Sequence, residues 1–217
     1  MDTVTELEPG EDGKTYSILL PHLNFKMACF CSCIWGNPDP GPVRLREVQQ
    51  VVIDTSKMGV DCVVVKSGRR VCGTGAALAN APIVQDKSYF EVKIQCGGVW
   101  GVGLATPTVS LDTVPLGTDT NSWVLTSEGT TVHNSQTISR GKQKPNEGDI
   151  IGISYDHVEM NFFLNGKSMD LPVTGIRGTV FPAIYVDDGA ILDVQFMDFT
   201  YPPPDGYDQI LLERNLL

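Results

Sequence analysis

Residues 147–167 read EGDIIGISYDHVEMNFFLNGK, and this stretch decides the fold. Ile151, Ile153 and Tyr155 recur at every second position; beyond Tyr155-Asp156-His157, Val158, Met160, Phe162 and Leu164 do the same. Side chains alternate across a sheet, so a period of two puts each apolar row on one face and predicts two strands, each burying one row. Asn165-Gly166 supplies the positive φ that a tight hairpin demands, which predicts a third strand beginning at Lys167. The stretch contains no nucleophile beside a base, no metal-ligand spacing and no phosphate cradle. Its chemistry is that of a β scaffold for binding.

Outward from this hairpin, strand-like runs recur at short intervals. They are Val48 to Ile53, Cys62 to Val65, Arg70 to Thr74, Tyr89 to Gln95, Trp100 to Ala105, Trp123 to Thr126 and Thr131 to Asn134, then Ile150 to Tyr155, Val158 to Leu164, Val180 to Val186 and Ala190 to Phe196. Ser67-Gly68 reads as a tight hairpin turn, and Gly117, Gly129, Gly148 and Gly189 punctuate other connections. Such a count predicts an all-β fold, a sandwich of two packed antiparallel sheets. Only Ser110 to Val114 and Tyr207 to Arg214 read as short helical turns. No repeat of fixed period points to a propeller or solenoid.

The 217 residues are 41% hydrophobic, enough for a sizeable core, and their 22 Gly and 14 Pro suit many turns between short strands. A net charge of −10, from 16 basic and 26 acidic residues, argues against nucleic acid or an anionic membrane as a non-specific partner. Residues 1–26 are acidic and aperiodic, and are expected to be disordered. Residues 27–42, MACFCSCIWGNPDPGP, run from a cysteine-rich apolar patch into a proline linker that extends neither strand nor helix. The expected organisation is therefore a tail over 1–42, a domain over 43–208 and a short extension over 209–217.

Cys62, Cys72 and Cys96 fall within strand-like runs and read as buried thiols. With no signal segment, no run of 18 apolar residues and no Asn-x-Ser/Thr sequon, a reducing, cytoplasmic location is expected. Cys29, Cys31 and Cys33, beside Phe30 and Trp35, leave two readings open. They are S-acylated and give peripheral membrane association, or they form an unmodified linker.

In order along the chain, YFEVKI (89–94), WGVGLA (100–105), EGDIIGI (147–153), FFLNGK (162–167) and FPAIYV (181–186) resemble the successive signature segments of a SPRY domain. The intervening TDTNSW (118–123), His133-Asn134 and TGIRG (174–178) are also similar to that family, and the likeness runs from about Val51 to Gly206. The resemblance implies a bent, jelly-roll-like β-sandwich, non-enzymatic and without a cofactor, whose loops at one edge recognise a short segment of another protein. It implies an adaptor role. Some relatives join this domain to a SOCS box or a RING; the residues after the sandwich leave room for neither, so a ligase role is expected to need a separate partner. Where some peptide-binding relatives place a pocket-lining aromatic, this chain has Asp187-Asp188-Gly189, so their peptide specificity is not carried over.

The candidate partner-binding residues are Arg69, Arg70, Thr106, Pro107, Trp123, Asp187 and Asp188. Lys66, Arg69 and Arg70 surround a hairpin tip and suit an acidic or phosphorylated peptide, or merely keep a strand edge soluble. Asp187 and Asp188 suit a basic partner segment, or pair with those cations across the same edge. Thr106 and Pro107 open a long connection to Trp123, and ordered loops on a rigid scaffold often carry recognition. Trp100, among Gly98, Gly101 and Gly103, is expected to be buried beneath neighbouring backbone; Trp123 reads equally as core or interface anchor.

His22, His133 and His157 are scattered without HExxH or Cys-His spacing, which argues against a zinc site. No dinucleotide fingerprint, G-x-S-x-G or P-loop occurs. Two rival classes stay open: an enzyme or small-ligand binder using the mouth between the sheets, and a homo-oligomer formed through sheet edges.

Overall fold

The structure is a computed structural model and describes residues 50–212. In chain order its strands are β1 (Ile53–Met58), β2 (Cys62–Val65), β3 (Arg70–Gly73), β4 (Gly75–Ala79), β5 (Ser88–Cys96) and β6 (Val99–Ala105). They continue with β7 (Ser122–Thr126), β8 (Thr130–His133), β9 (Gln136–Arg140), β10 (Ile150–Tyr155) and β11 (Glu159–Leu164). Last come β12 (Lys167–Ser168), β13 (Val173–Thr174), β14 (Phe181–Asp187), β15 (Ile191–Gln195) and β16 (Asp208–Gln209). One sheet has the order β1-β4-β14-β6-β7-β8-β9; the other follows β12-β11-β10-β5-β15-β3-β2, with β13 against β11 and β16 beside β5. Pairing is antiparallel apart from the two-residue contact of β16 with β5.

The β10–β11 hairpin forms as its periodicity predicts. Ile153 pairs with Phe162 and Tyr155 with Met160, and these side chains, with Ile151, are buried in the core between the sheets. Val158 departs from the pattern and is 72% exposed. Asp156 accepts the N–H groups of both Val158 and Glu159 through Oδ1, so the chain is still turning at Val158 and β11 starts one residue later. The strand expected after Asn165-Gly166 is β12.

Three features escape the sequence pattern. Val48 to Ile53 does not form the first strand within the described residues; β1 begins at Ile53. Asn80 holds Val52 at both backbone groups, through its side-chain oxygen and its own N–H, and pairing with β4 starts beyond that clamp. Strand β4, Gly-Ala-Ala-Leu-Ala, is buried along its whole length. One face meets the core and the other a second apolar cluster, so no polar alternation marks it. The edge strand β9 is almost wholly exposed and polar, and lacks an apolar row to detect.

Neither expected helical turn is present among the described residues. Residues 110–114 lie in an irregular connection whose Leu111 carbonyl accepts the Ala76 N–H. From Tyr207 the chain instead forms β16, and the Gln85 side chain donates to the Gln209 carbonyl and accepts the Leu211 N–H. Those backbone groups are thereby withdrawn from any helical pairing.

The second apolar cluster explains Gly101 of β6. Trp100, Val102 and Leu104 face the central core, where Trp100 is 2% exposed, as expected. Gly101 faces outward, where a Cβ would collide with the Tyr185 ring. The glycine thus makes room for a tyrosine on the outer face and not for backbone over Trp100. Val109 and Leu116 of the 106–121 connection close over Leu78, Val124, Ala183 and Tyr185. Burial pushes the Tyr185 phenol up to about 12.

On the outer face of the other sheet, the Glu91 carboxylate is fully buried and accepts N–H groups from Thr200 at 2.7 Å and Tyr201 at 3.0 Å, plus the Tyr89 hydroxyl at 3.1 Å. The chain after β15 is thereby fastened across the sheet. Of the three described cysteines, only Cys62 is buried; Cys72 and Cys96 are partly exposed, which corrects the expectation for those two. Burial raises the Cys62 thiol to about 11. Cys29, Cys31 and Cys33, with the whole expected tail, lie outside the described residues.

Candidate functional site

Register alone brings the cations of the β2–β3 hairpin to an acid distant in sequence. Val65 pairs with Arg70 across a four-residue loop, in which Lys66, Ser67 and Gly68 all have positive φ. Gly68 is required twice over: its φ is +82°, and a Cβ there would lie 2.7 Å from the Val52 Cβ. Arg70 sits opposite Asp193 of β15. Its guanidinium grips that carboxylate as a fork, Nε to Oδ1 and Nη2 to Oδ2, the latter at 2.8 Å. Lys66 Nζ and Gln95 Nε2 donate to Oδ2 at 3.2 and 3.0 Å. A bulge where Gln95 has no partner in β15 leaves its side chain within reach of Asp193.

Burial acts to raise the Asp193 pKa, but hydrogen bonds from Arg70 and Lys66, reinforced by their charges, outweigh it and hold the carboxyl below its ordinary 3.8. A folded-state pKa below the unfolded value contributes stability above the unfolded value, and that stability is lost as pH falls through the folded one. Asp193→Asn should therefore lower stability at pH 7 and narrow its gap to wild type as pH drops below about 4. Parallel urea melts at pH 7, 5 and 3 check this; a gap that does not shrink with acid contradicts it. Asp54 and Asp156 are also depressed, so the difference between the two proteins, and not the wild-type curve, isolates Asp193.

Arg69 is exposed. Its Nη2 donates to the Gln50 side chain at 2.7 Å, and among the described residues neither Arg69 nor Lys93 has a carboxylate within ion-pair distance. A cleft of about 460 Å³ is lined by Lys66, Arg69, Lys93, Gln95, Asp193 and Gln195. A second, of about 60 Å³, lies on Val51, Arg69, Phe196, Met197 and Asp198. Both open to solvent. Among the described residues no buried side-chain nitrogen or oxygen lacks a hydrogen-bond partner, and no group of three or more His, Cys, Asp or Glu is placed to hold a metal ion.

The other sequence-selected residues stand apart. Strand β14 runs from Phe181 to Asp187 against β6 from Ala105 to Val99, so Thr106 and Pro107 follow one end and Asp187 and Asp188 occupy the other, roughly 20 Å away at ~3.3 Å per residue. Thr74, just after β3, donates to Asp187 Oδ1 at 3.1 Å, whereas Arg69 precedes β3. The anticipated pairing of Asp187 and Asp188 with the hairpin cations is thus not made; Asp193 takes it. Thr106 is half-buried, its hydroxyl 3.0 Å from that of Thr108, and Pro107 is exposed. Trp123 is 5% exposed and stacks on His133 at 4.6 Å, part of the core.

Lys93, Gln95, Asp193 and Gln195 were not selected from sequence. Their signal is the polar row alternating with Val92, Ile94, Leu192 and Val194. It marks an outward face but does not say that β5 and β15 are neighbours.

The SPRY domain family model matches residues 87–199. SPRY domain-containing protein 7 of Gallus gallus is 50% identical over 190 residues, covering 86% of this chain and 97% of that protein. Its Homo sapiens counterpart is 50% identical over 192 residues, covering 88% and 97%. Among solved structures, the SPRY domain of human HERC1 superposes with a TM-score of 0.56 at 17% identity, covering 68% of this chain and 99% of that one. That likeness is one of fold.

Proposed function

This chain belongs to the SPRY domain family, whose members commonly act as protein–protein interaction modules, and from that premise we propose that it is an intracellular adaptor whose loops recognise a short segment of a partner protein. The observation that carries the reading is Arg69: an exposed side chain forming a wall of two adjoining clefts at a rigid hairpin. The Asp193 network and the Val52 and Ile53 contacts at Gly68 hold that hairpin in place. Docking then pays little ordering entropy. Arg70 supports the surface from below, through Asp193. Pro107, with the half-buried Thr106 before it, offers a second segment, whereas Asp187 and Asp188 lie at the opposite end of the β6–β14 pair from it. Trp123 contributes by stiffening the sheet beneath the loops. The open larger cleft, with its charged and amide side chains, favours this reading over a small-molecule pocket.

The test is quantitative capture. Partners are identified by proximity labelling, and affinities are then measured for wild type, Arg69→Ala, the Thr106→Ala/Pro107→Ala double variant and Asp188→Ala. Arg69→Ala should weaken binding about tenfold, on the order of 1.4 kcal/mol, and Asp188→Ala should leave it unchanged. If all the variants bind as wild type does, the site lies elsewhere on the sandwich.

A further inference from the structure

We propose that the partner segment carries a phosphorylated side chain, and that Lys66, Arg69 and Lys93 hold the phosphate in the larger cleft; the inference rests on the interaction reading above. Four cations, Lys66, Arg69, Arg70 and Lys93, meet here, and Asp193 is the one carboxylate in the cleft lining. Arg70 is consumed by its fork with Asp193, and Lys66 shares the same oxygen. A local surplus of positive charge remains on a protein whose net charge is −10.

Edge protection accounts for Lys66 and Arg69, which lie in a loop beside the edge strand β2, but not for Lys93. Lys93 projects from β5, in the interior of the nine-stranded sheet, with β10 on one side and β15 on the other. Lys93 is half-buried in mid-sheet and faces Asp193 across the β5–β15 register, but it makes no ion pair with that carboxylate, whose oxygens Arg70, Lys66 and Gln95 already occupy. An arriving anion would use the Lys93 charge.

The donor set selects the kind of anion. A carboxylate brings two oxygens and a single charge, and Asp193 already takes the Arg70 fork with Lys66 and Gln95 on Oδ2. The remaining donors are the guanidinium of Arg69, the ammonium groups of Lys66 and Lys93, and the amides that line the cleft. Together they match a group with three acceptor oxygens and close to two negative charges. Extended polyanions fit less well. Beyond a Debye length of about 8 Å the acidic remainder of the protein is screened, but a nucleic acid or anionic bilayer would lie against that remainder at contact. A single phosphorylated side chain meets only the cleft.

The full chain, immobilised at physiological salt, is presented with degenerate peptide libraries centred on phosphoserine, phosphothreonine or phosphotyrosine, and with their unphosphorylated twins. At least one phosphorylated library should be retained tenfold or more over its twin. Lys93→Ala and Arg69→Ala should each abolish that preference, whereas Lys144→Ala, which removes a cation paired with Glu128 elsewhere on the surface, should keep it. Unchanged thermal melting shows that the variants are folded. Equal retention of the twins, indifferent to Lys93→Ala, overturns the phosphate and leaves the interaction reading standing. Binding to phosphatidylserine vesicles that is lost in Lys93→Ala, with no phosphopeptide preference, overturns it in favour of a membrane surface. Failure of every library overturns it as well, and the partner capture described above then judges the interaction reading on its own.

Discussion

Gly103→Ala is expected to destabilise the protein by about 3 kcal/mol or more, lowering the thermal midpoint by roughly 6–12 °C. Gly103 lies within β6, between β14 and β7, opposite Ala183 and Val124. Its φ is unremarkable, so the requirement is one of space. A Cβ there would run into the Trp123 carbonyl oxygen and come within 2.9 Å of the Val124 Cα. Both obstacles are backbone in a paired strand, so no rotamer change relieves the collision and the β6–β7 pair must separate. Trp123 and Leu125 would move with it, and both belong to the central core. Calorimetry decides the matter; a loss under 1 kcal/mol would mean that the two strands do not approach as closely as described.

Glu91→Ala should cost a comparable amount, about 3 kcal/mol, with a different signature. The wild-type carboxylate, itself fully buried, satisfies two backbone N–H groups and one phenol. Alanine leaves all three donors without a partner, at ~1–3 kcal/mol for each group that cannot reach solvent. Release of the chain around Thr200 lets the two N–H groups rehydrate and limits the total. That segment is also held by Phe199, whose ring stands perpendicular to Tyr89 at 4.9 Å. Amide exchange at Thr200 and Tyr201 should therefore accelerate far more than exchange in β6 or β14, whereas Gly103→Ala should raise exchange in β6 and β7. Glu91→Gln should fall between, because its amide keeps one oxygen but turns an NH₂ toward donors. Uniform acceleration across both sheets in Glu91→Ala would refute a local fastening role.

Strands with one wet face were legible because alternation is a local property: β2, β11 and β15 lie where the periodicity puts them to within a residue. Strand β4 was not, since it is covered on both sides, and the cover over its outer face comes from the 106–121 connection. Helical turns were expected at 110–114 and 207–214 because local propensity was the one guide available there. In the structure the backbone groups of those segments bond to Ala76 and Gln85, partners far off in the chain.

The site divides in the same way. By itself the sequence determined that a β scaffold would present a cationic hairpin, and that no metal or nucleotide motif would accompany it, since turn residues and charges are read position by position. Arg69 and Arg70 are indistinguishable at that level. Only the tertiary structure decided that Arg70 is tied to a carboxylate 123 residues away while Arg69 stands in the open, and that Lys93 joins it. Strand pairing decides which charges become neighbours, and over such separations no local pattern encodes it.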